Sequence, residues 1–184
     1  TYDFSPAAAD LGTHTLVYNY TDEFGCQNVD STAILVNPLP QLTWNIAPSY
    51  CIPSAAHQLN LTPTGGTLAG PGTSGISFDP MIAGAGTHTI SYTYTDGNSC
   101  SNVISDDVIV HQTIPAAINP PAYVCVDEPT FVVTGNLPFF QTMTINGQNV
   151  MAGIDPQHFG PGNYVIQYAG ADANQCPSTV TATM

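Results

Sequence analysis

The stretch Gly86-Thr87-His88-Thr89-Ile90-Ser91-Tyr92-Thr93-Tyr94-Thr95-Asp96-Gly97-Asn98-Ser99-Cys100 decides the fold. Its alternation is unbroken. His88, Ile90, Tyr92 and Tyr94 share one face, and Thr87, Thr89, Ser91, Thr93 and Thr95 the other, which is the period of a half-buried strand. Asp96-Gly97-Asn98 ends the strand in a turn, and a cysteine follows. The same stretch stands earlier as Gly12-Thr13-His14-Thr15-Leu16-Val17-Tyr18-Asn19-Tyr20-Thr21-Asp22 with Cys26. A more worn copy is Gly162-Asn163-Tyr164-Val165-Ile166-Gln167-Tyr168 with Asp172 and Cys176. Pro6, Gly12, Tyr18, Asp22 and Cys26 each stand 74 positions before Pro80, Gly86, Tyr92, Asp96 and Cys100. Those five stand 76 positions before Pro156, Gly162, Tyr168, Asp172 and Cys176, and Cys51 and Cys125 are again 74 apart. Offsets this constant define a tandem array.

The array divides the chain into a complete repeat at 41–115, a divergent repeat at 116–184, and residues 1–40, which match only the C-terminal half of a repeat. Asn37-Pro38-Leu39-Pro40 and Thr113-Ile114-Pro115 read as stiff, extended linkers, since each proline fixes φ and restrains the residue before it. Strands are expected at His14–Thr21, Ser31–Val36, Leu42–Ile46, His57–Thr62, Ile76–Phe78 and Asp107–Val110. The divergent repeat adds Phe131–Thr134, Thr142–Ile145 and Ser178–Thr183, with an Asn146-Gly147 hairpin turn. Apolar residues never keep a helical period for more than a turn. About seven short strands per repeat, joined by Gly, Pro and Asn turns, describe tandem immunoglobulin-like Greek-key β-sandwich domains, an all-β architecture. The half repeat lacks the strands that would cover its core, so an upstream part of the chain or another subunit is expected to supply them. Thr1 is no initiator, which fits a processed or partial segment.

Among 184 residues there is no Lys or Arg, against 13 Asp plus Glu, a formal net charge of −13. A surface without cations cannot neutralise phosphates, which argues against nucleic acid and anionic membrane faces as partners. No stretch reaches the ~20 apolar residues of a membrane span. Hydrophobic residues still make up 43% of the chain, enough to fill several small cores.

Five regularly spaced cysteines in a chain rich in Thr, Ser, Gly and Pro point to an oxidising, extracellular compartment. Spacing suggests one disulfide per repeat, Cys51 with Cys100 and Cys125 with Cys176, leaving Cys26 to a partner outside the segment. Thiolate metal ligation is the rival, but no CxxC or histidine pair accompanies the cysteines. His14 and His88 share a repeat position that the third copy fills with Tyr164, so a packed, hydrogen-bonded side chain fits better than a metal ligand. Asp22, Asp96 and Asp172 recur at the strand end. An Asx turn capping the hairpin explains them; the competing reading is a calcium site using Asp96-Gly97-Asn98 with Glu23 or with Asp106 and Asp107. Asn19-Tyr20-Thr21 and Asn60-Leu61-Thr62 fit the glycosylation acceptor pattern at Asn19 and Asn60. No nucleophile elbow, phosphate loop or zinc motif is present, which argues against an enzyme and against any cofactor.

One complete run of motifs carries a resemblance: Cys51, then Thr62-Pro63-Thr64-Gly65-Gly66-Thr67-Leu68-Ala69-Gly70-Pro71-Gly72, then Phe78-Asp79-Pro80, then Gly86 to Asp96 and Cys100. It resembles the immunoglobulin-like repeats of large Bacteroidota surface adhesins and gliding-type filament proteins. The resemblance covers 41–115 well, 1–40 as a half copy and 116–184 loosely, because the third copy lacks the Gly-Gly-Thr segment. It implies export by the type IX route, a place on the bacterial cell surface, and O-glycosylation at Ser31 within Asp30-Ser31-Thr32. The function expected is a structural segment of an extracellular filament or stalk, a fibril of disulfide-stapled beads contacting adjacent copies of the same repeat or subunit. The alternative is an adhesin module that binds glycan or protein through pole loops such as Gly65–Gly72, or through Leu137-Pro138-Phe139-Phe140.

Overall fold

The computed structural model describes residues 3–184; Thr1, singled out above, lies outside the described residues. The first copy of the repeated stretch forms β1 (Gly12–Thr21), which turns and runs back antiparallel as β2 (Gln27–Val36). The pair is in register from Gly12↔Val36 to Thr21↔Gln27 and makes a two-stranded sheet of its own.

The middle of the chain supplies β3 (Ser49–Ile52), β4 (His57–Gln58), β5 (Thr67–Ala69), β6 (Thr73–Ser74), β7 (Ser77–Phe78), one helical turn α1 (Pro80–Ala83), β8 (Gly86–Thr95) and β9 (Ser101–Gln112). They build a four-stranded sheet in the order β3-β9-β8-β5 and a three-stranded sheet in the order β4-β7-β6. One hydrophobic cluster joins them: Tyr50, Leu68, Ile90, Tyr92, Val108 and Val110 from the first sheet meet Phe78, Leu59 and Leu61 from the other side. The alternation is realised as expected, for Ile90 and Tyr92 are 0% exposed. Their β1 counterpart Tyr18 is 55% exposed, because no second sheet among the described residues covers that face.

The last part forms β10 (Phe139–Ile145), β11 (Gln148–Asn149), the helical turn α2 (Pro156–Phe159), β12 (Val165–Ala171) and β13 (Pro177–Thr183), a sheet ordered β11-β10-β12-β13. A separate cluster around Leu137, Met143, Ile145, Ile154, Ile166 and Tyr168 fills it. The protein is thus mostly β, with several sheets and two independent cores.

Two local expectations are corrected. Leu42–Ile46 is no strand and contributes only the Thr43↔Thr62 bridge. There the Asn45 side chain, rather than a backbone carbonyl, accepts the N–H of Asn60 at 2.7 Å. Phe131–Thr134 likewise gives only the bridge Phe131↔Ile154. The Asp79-Pro80 and Asp155-Pro156 turns are single helical turns, N-capped by the aspartates and begun by the prolines. The edge pairing of β3 with β9 is parallel, Ser49↔Ile109 to Ile52↔Gln112, a contact between segments far apart in sequence that alternation does not announce.

Candidate functional site

The repeated hairpin carries a repeated clasp. In each copy one aspartate oxygen, Oδ1, accepts two backbone N–H groups. Asp22 takes those of Phe24 and Cys26, Asp96 those of Asn98 and Cys100, and Asp172 those of Asn174 and Cys176, all at 2.8–3.0 Å. The aspartate N–H in turn donates to the cysteine carbonyl in all three. These are Asx turns, so the recurrent aspartates are hairpin caps as expected. The oxygens proposed for calcium do not converge. Asp106 lies opposite Ile90 and accepts Trp44 Nε1–H, while Asp107 lies opposite Thr89 and accepts its hydroxyl. They stand level with residues six and seven positions before Asp96, roughly 20 Å or more along the strand. Among the described residues no group of three or more His, Cys, Asp or Glu side chains could hold a metal ion.

The third clasp does more than cap. Asp172 is buried, and its second oxygen, Oδ2, accepts the N–H of Ile114 in the linker at 3.0 Å. That N–H holds the carboxyl below its ordinary value of 3.8. Burial pushes the other way, while the Cys176 and Asn174 N–H groups and the charge of His111 add to the lowering. Beside this anchor Ser178 Oγ accepts the N–H of Ala116 at 2.8 Å, and Cys176 is joined to Cys51 by a disulfide with Cα atoms 5.5 Å apart. Cys51 sits on β3 opposite His111, at the end of β9 from which the chain leaves for the third unit. A carboxylate, a hydroxyl and a covalent bond therefore converge on the passage between the second and third units.

This corrects the expected pairing of Cys51 with Cys100 and Cys125 with Cys176. Cys51 lies level with His111, and Cys100 precedes Ser101 at the opposite end of the same strand. Ten strand residues separate those levels, ~33 Å, whereas a disulfide needs Cα atoms within about 7 Å. Cys125 lines a groove with Tyr164 and Met184 at one end of the third unit, and Cys176 precedes Pro177 at the other end of β13. Cys26, Cys100 and Cys125 carry free thiols here, the first and last of them exposed. A bridge spanning 125 positions constrains the unfolded chain by about 5 kcal/mol in the loop-entropy account.

The histidine expectation holds in detail. His88 Nε2 lies 2.8 Å from the Gly84 carbonyl and His14 Nε2 2.5 Å from that of Asp10. A carbonyl can only accept, so in both rings Nε2 carries the proton. Tyr164 makes the same hook with its hydroxyl, donating to the Phe159 and Gly160 carbonyls. The acceptor asparagines Asn19 and Asn60 and the acceptor Ser31 are all exposed.

Gly65–Gly72 is not a pole loop. β5 within it pairs with the middle of β8, Thr67↔Thr93 to Ala69↔Ser91. A Cβ on Gly66 would stand 2.4 Å from the Thr93 carbonyl oxygen, and one on Gly70 2.7 Å from that of Thr89. The glycines serve close backbone approach. Leu137 is core, whereas Phe139 and Phe140 are exposed at a bulge in β10, with Phe140 at φ 49°.

A tyrosine–glycine contact escaped the sequence reading. Tyr92 Oη donates to the Pro63 carbonyl and accepts the Gly66 N–H, and Tyr168 Oη accepts the N–H of Leu137. In each unit the ring lies against a glycine, Gly66 or Gly135. The shared position of Tyr92 and Tyr168 was the available signal; the glycines stand at different distances along the chain from their tyrosines.

No protein-family model matches the chain, and no curated protein is detectably similar to it. The disulfide fits a non-reducing environment, and no helix among the described residues is long and apolar enough to cross a membrane.

Proposed function

We propose that this chain is a structural segment of an extracellular bacterial surface filament or stalk, a row of immunoglobulin-like β units without catalytic function or cofactor. The observation that carries the reading is the passage between the second and third units, where Cys51–Cys176, Asp172 and Ser178 all restrain the linker. Units joined by a hinge are free to reorient by default; a passage held by two hydrogen bonds to the chain between the units and by a disulfide across them is built to keep its direction. Stiff proline linkers, repeated hairpins and the resemblance to surface-filament repeats support the same reading, as does a cation-free surface that keeps neighbouring fibres apart by charge. Electron microscopy of the native material tests it. Continuous beaded fibres or cell-bound stalks are expected; isolated compact particles would refute it.

A second reading, adhesion, is favoured by Phe140, a bulky residue 76% exposed in the left-handed region, where strain of this kind marks binding surfaces. Phe140→Ser separates the two: an adhesin loses surface attachment, whereas a stalk keeps its fibres.

A further inference from the structure

We propose that the cysteines follow one rule, in which the front cysteine of each unit bridges to the hairpin cysteine of the next unit, so that Cys100 and Cys125 bond to the repeats on either side of this segment. The observed bridge fixes the rule, because Cys51 is the front cysteine of the second unit and Cys176 the hairpin cysteine of the third. Repeat register transfers it. Cys125 stands 74 positions after Cys51, and Cys100 stands 76 before Cys176. Geometry transfers it as well, since Cys26, Cys100 and Cys176 are held by identical aspartate clasps.

The first junction shares one polar contact with the second, at the same repeat position. Asn102, which occupies the repeat position of Ser178, donates from Nδ2 to the Pro40 carbonyl at 2.9 Å, as Ser178 Oγ accepts from Ala116. Cys100 is therefore carried on a hairpin that rests on the linker before its own unit, as Cys176 is. Its partner is the front cysteine of the unit to which β1 and β2 belong. Cys125 lies at the far end of the third unit, in an apolar groove of about 420 Å³ between Ala122–Asp127 and Met184, which is where the next hairpin would be received. Cys26 takes the front cysteine of the unit one further back. The three thiols left free are the three whose partners by this rule fall outside these residues.

Each bridge forms as two thiols give up two protons and two electrons to the disulfide of a thiol–disulfide oxidoreductase, which leaves as a dithiol. The result is a covalent ladder that skips no junction. The rule deepens the proposed array, since it requires further repeats on the same polypeptide, but it does not require that the array form a fibre.

Disulfide mapping of the full native protein tests it. Free thiols are blocked with N-ethylmaleimide at acid pH, the unreduced chain is cut with an Asp/Glu-specific protease and pepsin, and linked peptides are sequenced. The rule expects Cys51 linked to Cys176, Cys100 linked to a peptide preceding this segment, and Cys125 linked to one following it. Maleimide on Cys100 or Cys125, or the pairs Cys51–Cys100 and Cys125–Cys176, would overturn it, whatever microscopy shows about fibres. In Cys51→Ser the rule expects maleimide to label Cys176 alone; labelling of Cys100 instead would overturn it too.

Discussion

Gly135→Ala is expected to unlock the third unit while leaving the second intact. A Cβ at that position would stand 1.9 Å from Cζ of Tyr168, and 2.3 and 2.4 Å from Cε1 and Cε2. Carbon atoms rest about 3.5–4 Å apart, so ring or backbone must yield by well over 1 Å. The ring has nowhere to go. Tyr168 is 0% exposed, sits on β12 between β10 and β13, and is tied at its hydroxyl to the N–H of Leu137. Overpacking costs about 1–3 kcal/mol, and losing the hydroxyl bond adds about 1 more, roughly 2–4 together. A unit this small loses about 4–8 °C of Tm per kcal/mol, which gives a fall of roughly 8–32 °C. Near-UV circular dichroism reads the tyrosines of both units, Tyr92 in the second and Tyr168 in the third, so the tyrosine transition that does not coincide with the second unit's is the third unit's. Trp44, the single tryptophan, packs on the second core and reports that unit by fluorescence. Gly97→Ala is the control, since nothing lies within 4 Å of a Cβ there. In a Tyr168→Leu background, Gly135→Ala should cost much less. A tyrosine transition that moves by less than about 2 °C in Gly135→Ala would refute the packing account.

Four further outcomes are expected. Asp172→Asn should destabilise the passage between the units more than Asp96→Asn does, because only Asp172 uses both oxygens, and an amide nitrogen would face the Ile114 N–H; equal effects on thermal unfolding would contradict this. The lowered carboxyl of Asp172 contributes stability that is full above its ordinary value of 3.8 and is lost as pH falls through the lowered one, so in acid the thermal stability of wild type should fall more steeply than that of Asp172→Asn and the gap between them should close; a gap that stays constant would contradict this. His88→Ala should cost about 1 kcal/mol through loss of the bond to the Gly84 carbonyl, and His88→Tyr should recover part of it, as Tyr164 shows the hook can be made by a phenol; urea unfolding followed by Trp44 checks both. Asp79→Ala should cost about 0.5–2 kcal/mol, the worth of an N-cap, by the same measurement.

The strands were legible wherever one face is buried and the other wet. Ile90 and Tyr92 alternate with threonines, and the structure buries them as the period requires. The histidine hook and the aspartate caps were legible because each recurs at a fixed offset, and recurrence with His exchanged for Tyr already argued for a hydrogen bond over a ligand. The disulfides were not. Equal spacing of cysteines carries the repeat length, which is the same whether a bridge stays within a unit or crosses to the next. Only the parallel edge pairing of β3 with β9 places Cys51 at the far end of its unit, and parallel pairing between distant segments leaves no local mark. The pole-loop reading of Gly65–Gly72 failed for a related reason, although the short strand within it, β5, is the kind of element its sequence suggests. Glycines that permit turns and glycines that permit close backbone approach look alike in sequence, and only the 2.4 Å clearance at Gly66 tells them apart.

Pulling single molecules of the chain from its two ends tests the central claim, that successive units are joined covalently. The bridge between Cys51 and Cys176 hides 125 positions from the applied force. Oxidised protein should therefore yield no extension from that span, and reductant should release roughly 400–450 Å of contour in its place. Release of the full length without reductant, or a gain on reduction of two steps of under about 200 Å each, as bridges confined to single units would give, would contradict the account.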